Sequence, residues 1–255
     1  MARYQLILAY DGTEFYGFQR QGETRTVQRV VENALKELGW QEETILFAGR
    51  TDTGVHANGQ VISFSLDWQH EDADLLNALN AKLPGDAGVR DITRVKAEFH
   101  PRYDANSRSY VYRIYQAQAR HPILERFAWR IWPKLDQKLL TSASQIFQGQ
   151  HDFAAFGRPM KPGSSTIREV FESRWEPTDD GWEYRITANA FLYHMVRRLV
   201  YIQVETARSN LNLDELRAGF TNPTLLHPGL APAHGLLLDR VDYGNKTQEL
   251  EDEQN

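Results

Sequence analysis

The chain has 255 residues, 41% apolar and 25% charged, an ordinary composition for a globular protein with room for one large domain or two of common size. The absence of cysteine excludes disulfides, thiol catalysis and cysteine-ligated zinc, and fits a reducing compartment. The first apolar run, Tyr4 to Tyr10, is short and interrupted by Gln5, so neither a signal peptide nor a membrane span is expected, and a cytoplasmic location is.

The net charge of −5 argues against a nucleic-acid binder, but its distribution weakens that argument. Residues 245–255 carry one base and four acids, a net of −3, which leaves −2 for the rest. From Arg94 to Arg130 eight bases face three acids, a net of +5 over 37 residues. Local charge outweighs the total once salt screens the remainder, so this band is a candidate phosphate-binding face, with a solvated surface as the alternative.

Taken in order, Arg3 to Asp11 alternates apolar and polar residues and ends at Asp11-Gly12, a strand and a turn. Phe15 to Arg20 is an aromatic loop. Thr26 opens a helix whose stripe is Val27, Val30, Val31, Ala34, Leu35 and Leu38, with Gly39 as its stop. Two strands flank Asp52. Ala73 to Leu83 is a second helix, and Val89 to Phe99 a further strand. This β-α-β-β-α-β order is that of a ferredoxin-like unit. The second half repeats it loosely: a strand over Ser107 to Gln116, a helix over Leu135 to Phe147, and a Gly/Pro-rich loop over Gln148 to Ser165. A hairpin of Thr166 to Trp175 with Trp182 to Ala188 follows. Helices over Phe191 to Arg208 and Leu213 to Ala218, and a strand over Leu236 to Tyr243, complete it. The expected fold is α+β: two ferredoxin-like halves, residues 1–103 and 104–244, sharing one sheet with a cleft between them. Residues 245–255 form an acidic tail, expected to be disordered.

The stretch with the clearest chemical content is Gly49-Arg50-Thr51-Asp52-Thr53-Gly54-Val55-His56. Glycine supplies the positive φ that a crowded turn needs, so Asp52 is expected on a tight connection between strands. Arg50, two threonine hydroxyls and His56 flank its carboxylate, and nearby cations and donors favour the ionised form. Spacing alone fits both a carboxylate poised for chemistry and a turn-forming aspartate.

No P-loop, dinucleotide fingerprint, H-E-x-x-H or nucleophile elbow is present, and the eight histidines are scattered. Asp52-Thr53-Gly54 is also the aspartic-protease tripeptide. Those enzymes need two carboxylates sharing a proton; this chain has one such tripeptide, with Arg50 favouring the charged form. A carboxylate, a basic band and strand tyrosines together suit a flipped nucleotide, with Tyr110 beside Arg108 as the candidate stacking residue and a core tyrosine as the alternative. A non-catalytic protein of two RRM-like units would need the aromatic RNP1 pattern, which is missing.

The motifs resemble those of the TruA-type tRNA pseudouridine synthases. Gly49 to His56 is similar to G-R-T-D-A-G-V-H. Tyr10-Asp11-Gly12 with Tyr16-Gly17-Phe18-Gln19-Arg20-Gln21 resembles Y-D-G and Y-G-W-Q-R-Q. Asn80 to Asp86 resembles N-x-x-L-P-x-D, and Phe99-His100-Pro101-Arg102 resembles F-H-A-R. Arg108 to Tyr112 resembles R-x-Y-x-Y, and Asn189 to Arg197 resembles N-x-F-x-x-H-M-V-R. Gly235 to Leu238 falls where the family has its last apolar motif. The resemblance implies isomerisation of uridine in tRNA, on the 3′ side of the anticodon stem-loop, by a homodimer that uses no cofactor and no metal. It implies Asp52 as the catalytic carboxylate and Tyr110 as the tyrosine against the uracil. Arg197 is the base paired with the aspartate, and Arg50 fills the space left by the flipped nucleotide. Arg108, His56 and Leu238 complete the substrate site, Leu238 packing beneath it. Thr53 stands where alanine is usual. Ala154 and Ala155 replace the hydroxyl residues of D-F-x-x-F, and Tyr201 replaces a glycine.

Overall fold

A computed structural model describes residues 1–244; the acidic stretch 245–255 lies outside the described residues. The described chain divides into two units, one made of Met1–Ser107 and residues 238–244, the other of Arg108–Leu237.

In the first unit, β1 (Ala2–Tyr10) buries Tyr4, Leu6, Leu8 and Tyr10, the alternate positions that its sequence pattern marks as apolar. Helix α1 (Val27–Glu37) starts where the Thr26 hydroxyl accepts the Arg29 N–H, and stops before Gly39, whose φ is +92°. It buries Val27, Val31, Ala34 and Leu35. Strand β2 (Leu46–Phe47) is two residues long and pairs antiparallel with β3 (His56–Leu66). Helix α2 (Asp72–Lys82) places Asp72 and Asp74 in its first turn, where the helix dipole favours acids, and buries Leu75 and Leu79. Strand β4 (Ala87–Val95) and β3 flank β1, both antiparallel to it.

Strand β5 (Ser107–Gln116) opens the second unit from its second residue, Arg108. Strand β6 (Trp129–Ile131) pairs parallel with it, α3 (Gln137–Gln145) follows, and β7 (Gly149–Asp152) lies within the stretch expected to be loop. Strands β8 (Ile167–Pro177) and β9 (Gly181–Ala188) form the expected hairpin, and the antiparallel order is β5-β9-β8-β7. Helices α4 (Met195–Ala207) and α5 (Leu213–Ala218) complete the unit, α5 with an Asn212/Glu215 capping box. Buried polar bonds tie sheet to helices: Ser173 Oγ donates to Ser144 O (2.7 Å), and Trp175 Nε1 to Gln203 Oε1 (2.7 Å).

Strand β10 (Leu236–Asp242) carries the chain back to the first unit, where it lies beside β3. At that crossing a Cβ on Gly59 would sit 2.4 Å from the Asp239 carbonyl oxygen, so only glycine lets the two backbones approach. The first unit runs to Ser107 and takes the chain back from Leu238. The start of α4 departs from expectation. Phe191 to His194 precede the helix, because His194 has φ +65° and the Tyr193 backbone forms a two-way bridge with Arg158. Both units mix helices with largely antiparallel strands, so the fold class is α+β.

Candidate active site

Asp52 lies on the connection between β2 and β3, half-buried, and its carbonyl accepts the Val55 N–H at 3.1 Å to close the turn. The turn is held from outside by the loop that follows β1. Phe18 N–H donates to Thr51 O (3.0 Å), and Gly54 N–H to Phe15 O (3.4 Å). This approach needs glycine on the loop side. A Cβ on Gly12 would lie 2.1 Å from the Val55 oxygen, and one on Gly17 would lie 3.0 Å from the Thr51 oxygen. Gly17 and Gly54 have φ +82° and +76°; Gly49, expected to share that role, does not have a positive φ.

Side chains lock the same turn. Tyr10 Oη and Thr51 Oγ1 share a buried hydrogen bond of 2.8 Å, and Gln60 Nε2 donates to Gly49 O at 2.8 Å. His56, assigned to substrate on resemblance, is 4% exposed; its Nδ1 accepts the Gly12 N–H at 3.0 Å, with Asp11 Oδ1 3.1 Å away. The Gly12 amide needs Nδ1 as an acceptor, while Asp11 Oδ1 already accepts from both the Thr13 N–H and hydroxyl. His56 thus fastens the turn to the β1 loop. Arg50 is exposed and makes no hydrogen bond or ion pair among the described residues. Thr53 is exposed and its hydroxyl bonds to nothing among them, so the usual alanine is replaced without consequence for the turn. Leu238 is 1% exposed on β10. Sequence motifs contained Tyr10, Gly12 and Gly17 but gave no sign that these residues build the Asp52 turn.

Within the second unit, Tyr110 is half-buried on β5, opposite Ile186 of β9, with its ring edge-on to Phe191 at 5.1 Å. Arg108, two residues before it, donates to the Asn189 carbonyl at 2.9 Å. Arg197, on the first turn of α4, donates from Nε to Ala231 O at 2.8 Å, while the Ala231 N–H donates back to Arg197 O at 3.1 Å. Burial pushes the Tyr112 phenol well above its ordinary value, and the positive charge of Arg197 acts against that shift. Tyr112 stays a neutral donor, giving its proton to Pro232 O at 2.9 Å. Arg198 donates to the carbonyls of His227 and, at 2.9 Å, Gly229.

The departures from the family pattern have physical counterparts. Tyr201 occupies space left by Gly229, where a Cβ would meet the tyrosine ring at 2.4 Å. Asp152 accepts the Ala154 N–H at 3.0 Å, and hydrogen bonds from Thr166 and that amide hold its carboxyl below the usual range. Phe153 and Phe156 are buried, both against Phe220, so D-F-x-x-F here is a turn and a core rather than a set of hydroxyl contacts.

Much of the basic band is neutralised. Arg94 pairs with Asp72, Arg113 with Glu183, and Arg120 and Arg130 both with Glu125, whose carboxyl Arg120 holds down at about 2. Among the described residues, no group of three or more His, Cys, Asp or Glu side chains is placed to hold a metal, and no helix is long and apolar enough to cross a membrane.

The profile of the tRNA pseudouridine synthase family matches residues 6–104 and 143–244. A Pseudothermotoga lettingae protein named tRNA pseudouridine synthase A is 36% identical over 245 residues, covering 95% of this chain and 100% of that protein. Proteins of the same name from Methylacidiphilum infernorum and Staphylococcus saprophyticus are 37% and 35% identical, covering 94% and 93% of this chain and 95% and 93% of their own lengths. By class, then, the chain is a pseudouridine synthase. It belongs to the tRNA pseudouridine synthase family.

Proposed function

We propose that this tRNA pseudouridine synthase converts uridines on the 3′ side of the anticodon stem-loop, as a cytoplasmic homodimer using neither metal nor cofactor. The observation that carries this reading is near full-length similarity to proteins named tRNA pseudouridine synthase A, together with a carboxylate on a sterically locked turn.

In this reading Asp52 supplies the negative charge beside C1′ as the N1–C1′ bond breaks and its electron pair leaves with the uracil. The carboxylate either attacks C1′ or removes the 2′ proton; both routes need it ionised. The freed uracil turns and bonds to C1′ through C5, the C5 proton departs and N1 takes up a proton, so the product is an isomer of the substrate. Tyr110 packs on the uracil and is the candidate to take that proton. By the resemblance, Arg197 is the cation assigned to pair with the aspartate. Arg50, exposed and uncommitted among the described residues, fills the space of the flipped nucleotide. Arg108 and Leu238 line the substrate site, while His56 serves it through the turn.

Incubating the protein with unmodified tRNA and mapping pseudouridine along the chain tests the reading. Product confined to the 3′ side of the anticodon arm is expected; product elsewhere overturns the site assignment, and none overturns the activity.

A further inference from the structure

The turn Phe99-His100-Pro101-Arg102-Tyr103-Asp104 presents an exposed ring on an unusually constrained backbone. Its amides are all used: Phe99 N–H donates to Lys96 O (3.0 Å), and His100 N–H to Asp104 Oδ2 (2.8 Å). Arg102 N–H donates to His100 Nδ1 (3.1 Å), and the amides of Tyr103 and Asp104 both reach His100 O (3.2 and 3.1 Å). From β10's end, Tyr243 Oη donates to Pro101 O at 2.7 Å. Despite this, Tyr103 is 73% exposed. One side of its ring rests against the His100 ring, centroids 4.3 Å apart, and the Arg102 guanidinium lies 5.9 Å from its centroid. Burial lowers His100 below its ordinary value, so the supporting ring is neutral at neutral pH.

This turn and the Asp52 turn grow from the same small core. Phe99 and Tyr243 pack with Ala48 and Val61, and Ala48 lies four residues before Asp52. The spacing between the two turns is therefore set by packed side chains. A preoriented aromatic face beside an exposed guanidinium matches what unpaired nucleotides offer: a base with a π-face and an adjacent phosphate.

We propose that Tyr103, supported by His100 and flanked by Arg102, is a positioning residue that stacks an unpaired tRNA base away from the reacting uridine, Arg102 meeting a neighbouring phosphate. The proposal rests on the tRNA-modifying reading above.

The test is steady-state pseudouridine formation by wild type, Tyr103→Ala and Tyr103→Phe, with thermal melting of each. Loss of a base–aromatic stack weakens binding about tenfold. The expected result is a KM raised by about that factor in Tyr103→Ala, with kcat and melting unchanged, the signature of lost uniform binding. Tyr103→Phe keeps the wild-type KM, because stacking needs the ring and not the hydroxyl. Wild-type KM in Tyr103→Ala overturns the proposal. So does a lowered kcat with lowered melting, which would mark a structural role, or altered self-association at wild-type KM, which would mark a protein contact. If wild type forms no pseudouridine, the functional reading fails separately. Fluorescence anisotropy with unmodified tRNA then decides this proposal, equal affinity of wild type and Tyr103→Ala overturning it.

Discussion

The Asp52 turn and the Arg197 strap each hold a charged side chain in place by different physical means. In the first unit, backbones meet at distances that admit no side chain, and Gly12 and Gly17 make this possible, with Gly54 supplying a positive φ to the turn. In the second, the segment His227 to Pro232 is tied down by donors: Arg198 to His227 and Gly229, Arg197 to Ala231, Tyr112 to Pro232. Steric fit fails abruptly when an atom is added. A strap of hydrogen bonds weakens one bond at a time. The difference separates residues whose change unfolds the site from residues whose change loosens it.

Gly12→Ala tests the steric side most severely, since the new Cβ would lie 2.1 Å from Val55 O, a backbone atom. Overpacking of this kind costs about 3 kcal/mol or slightly more. For a chain of this length that lowers Tm by about 10 °C, which calorimetry checks, and activity should fall with it. Gly229→Ala is next: its Cβ meets the Tyr201 ring at 2.4 Å, and we expect a loss of about 2 kcal/mol. Because part of the obstacle is a side chain, Tyr201→Ala in the same chain should recover the steric part of that loss and leave the strain of alanine at φ +151°; a double-mutant cycle with no coupling would refute the packing account. Tyr112→Phe removes one strap bond and should cost about 1 kcal/mol, read from urea unfolding.

The smallest effect concerns the His100 turn, a third arrangement in which side chains close the backbone. Its imidazole is lowered from 6.5 by burial, with Arg3 and Arg102 reinforcing and Asp104 opposing. The unfolded chain therefore binds the proton at higher pH than the folded one. Stability from this group is complete above 6.5, falls as pH drops towards the lower folded value, and levels off below it. His100→Asn retains an acceptor for the Arg102 amide but does not titrate there, so its unfolding free energy should fall less than wild type between pH 7.5 and 5.5.

What could be seen in the sequence follows the range of the interactions involved. The helix from Val27 and the β8–β9 hairpin were legible because their periodicity is local and strong. Strands β6 and β7, of three and four residues, are too short to leave a pattern. The start of α4 was misplaced because Phe191 and Leu192 suit a helix, and only the bridge from Tyr193 to Arg158 excludes them. The basic band counted charges but not partners; Glu183 is 70 residues from Arg113 in the chain. At the site, the Asp52 turn was visible through Gly54. The close approach of Gly12 and Gly17, and the bond from the Gly12 amide to His56 Nδ1, 44 residues away in the chain, carry no local mark.

The central claim is that the turn exists to present the Asp52 carboxylate to the ribose. Release of tritium from C5 of uridine in labelled tRNA, by wild type and Asp52→Asn at equal tRNA occupancy, measures it directly. The substitution keeps the side chain's size and removes its charge, and phosphate contacts dominate tRNA affinity. The account predicts steady tritium release by wild type and none above background by Asp52→Asn, with tRNA binding and melting temperature unchanged. Release by Asp52→Asn at the wild-type rate would contradict it.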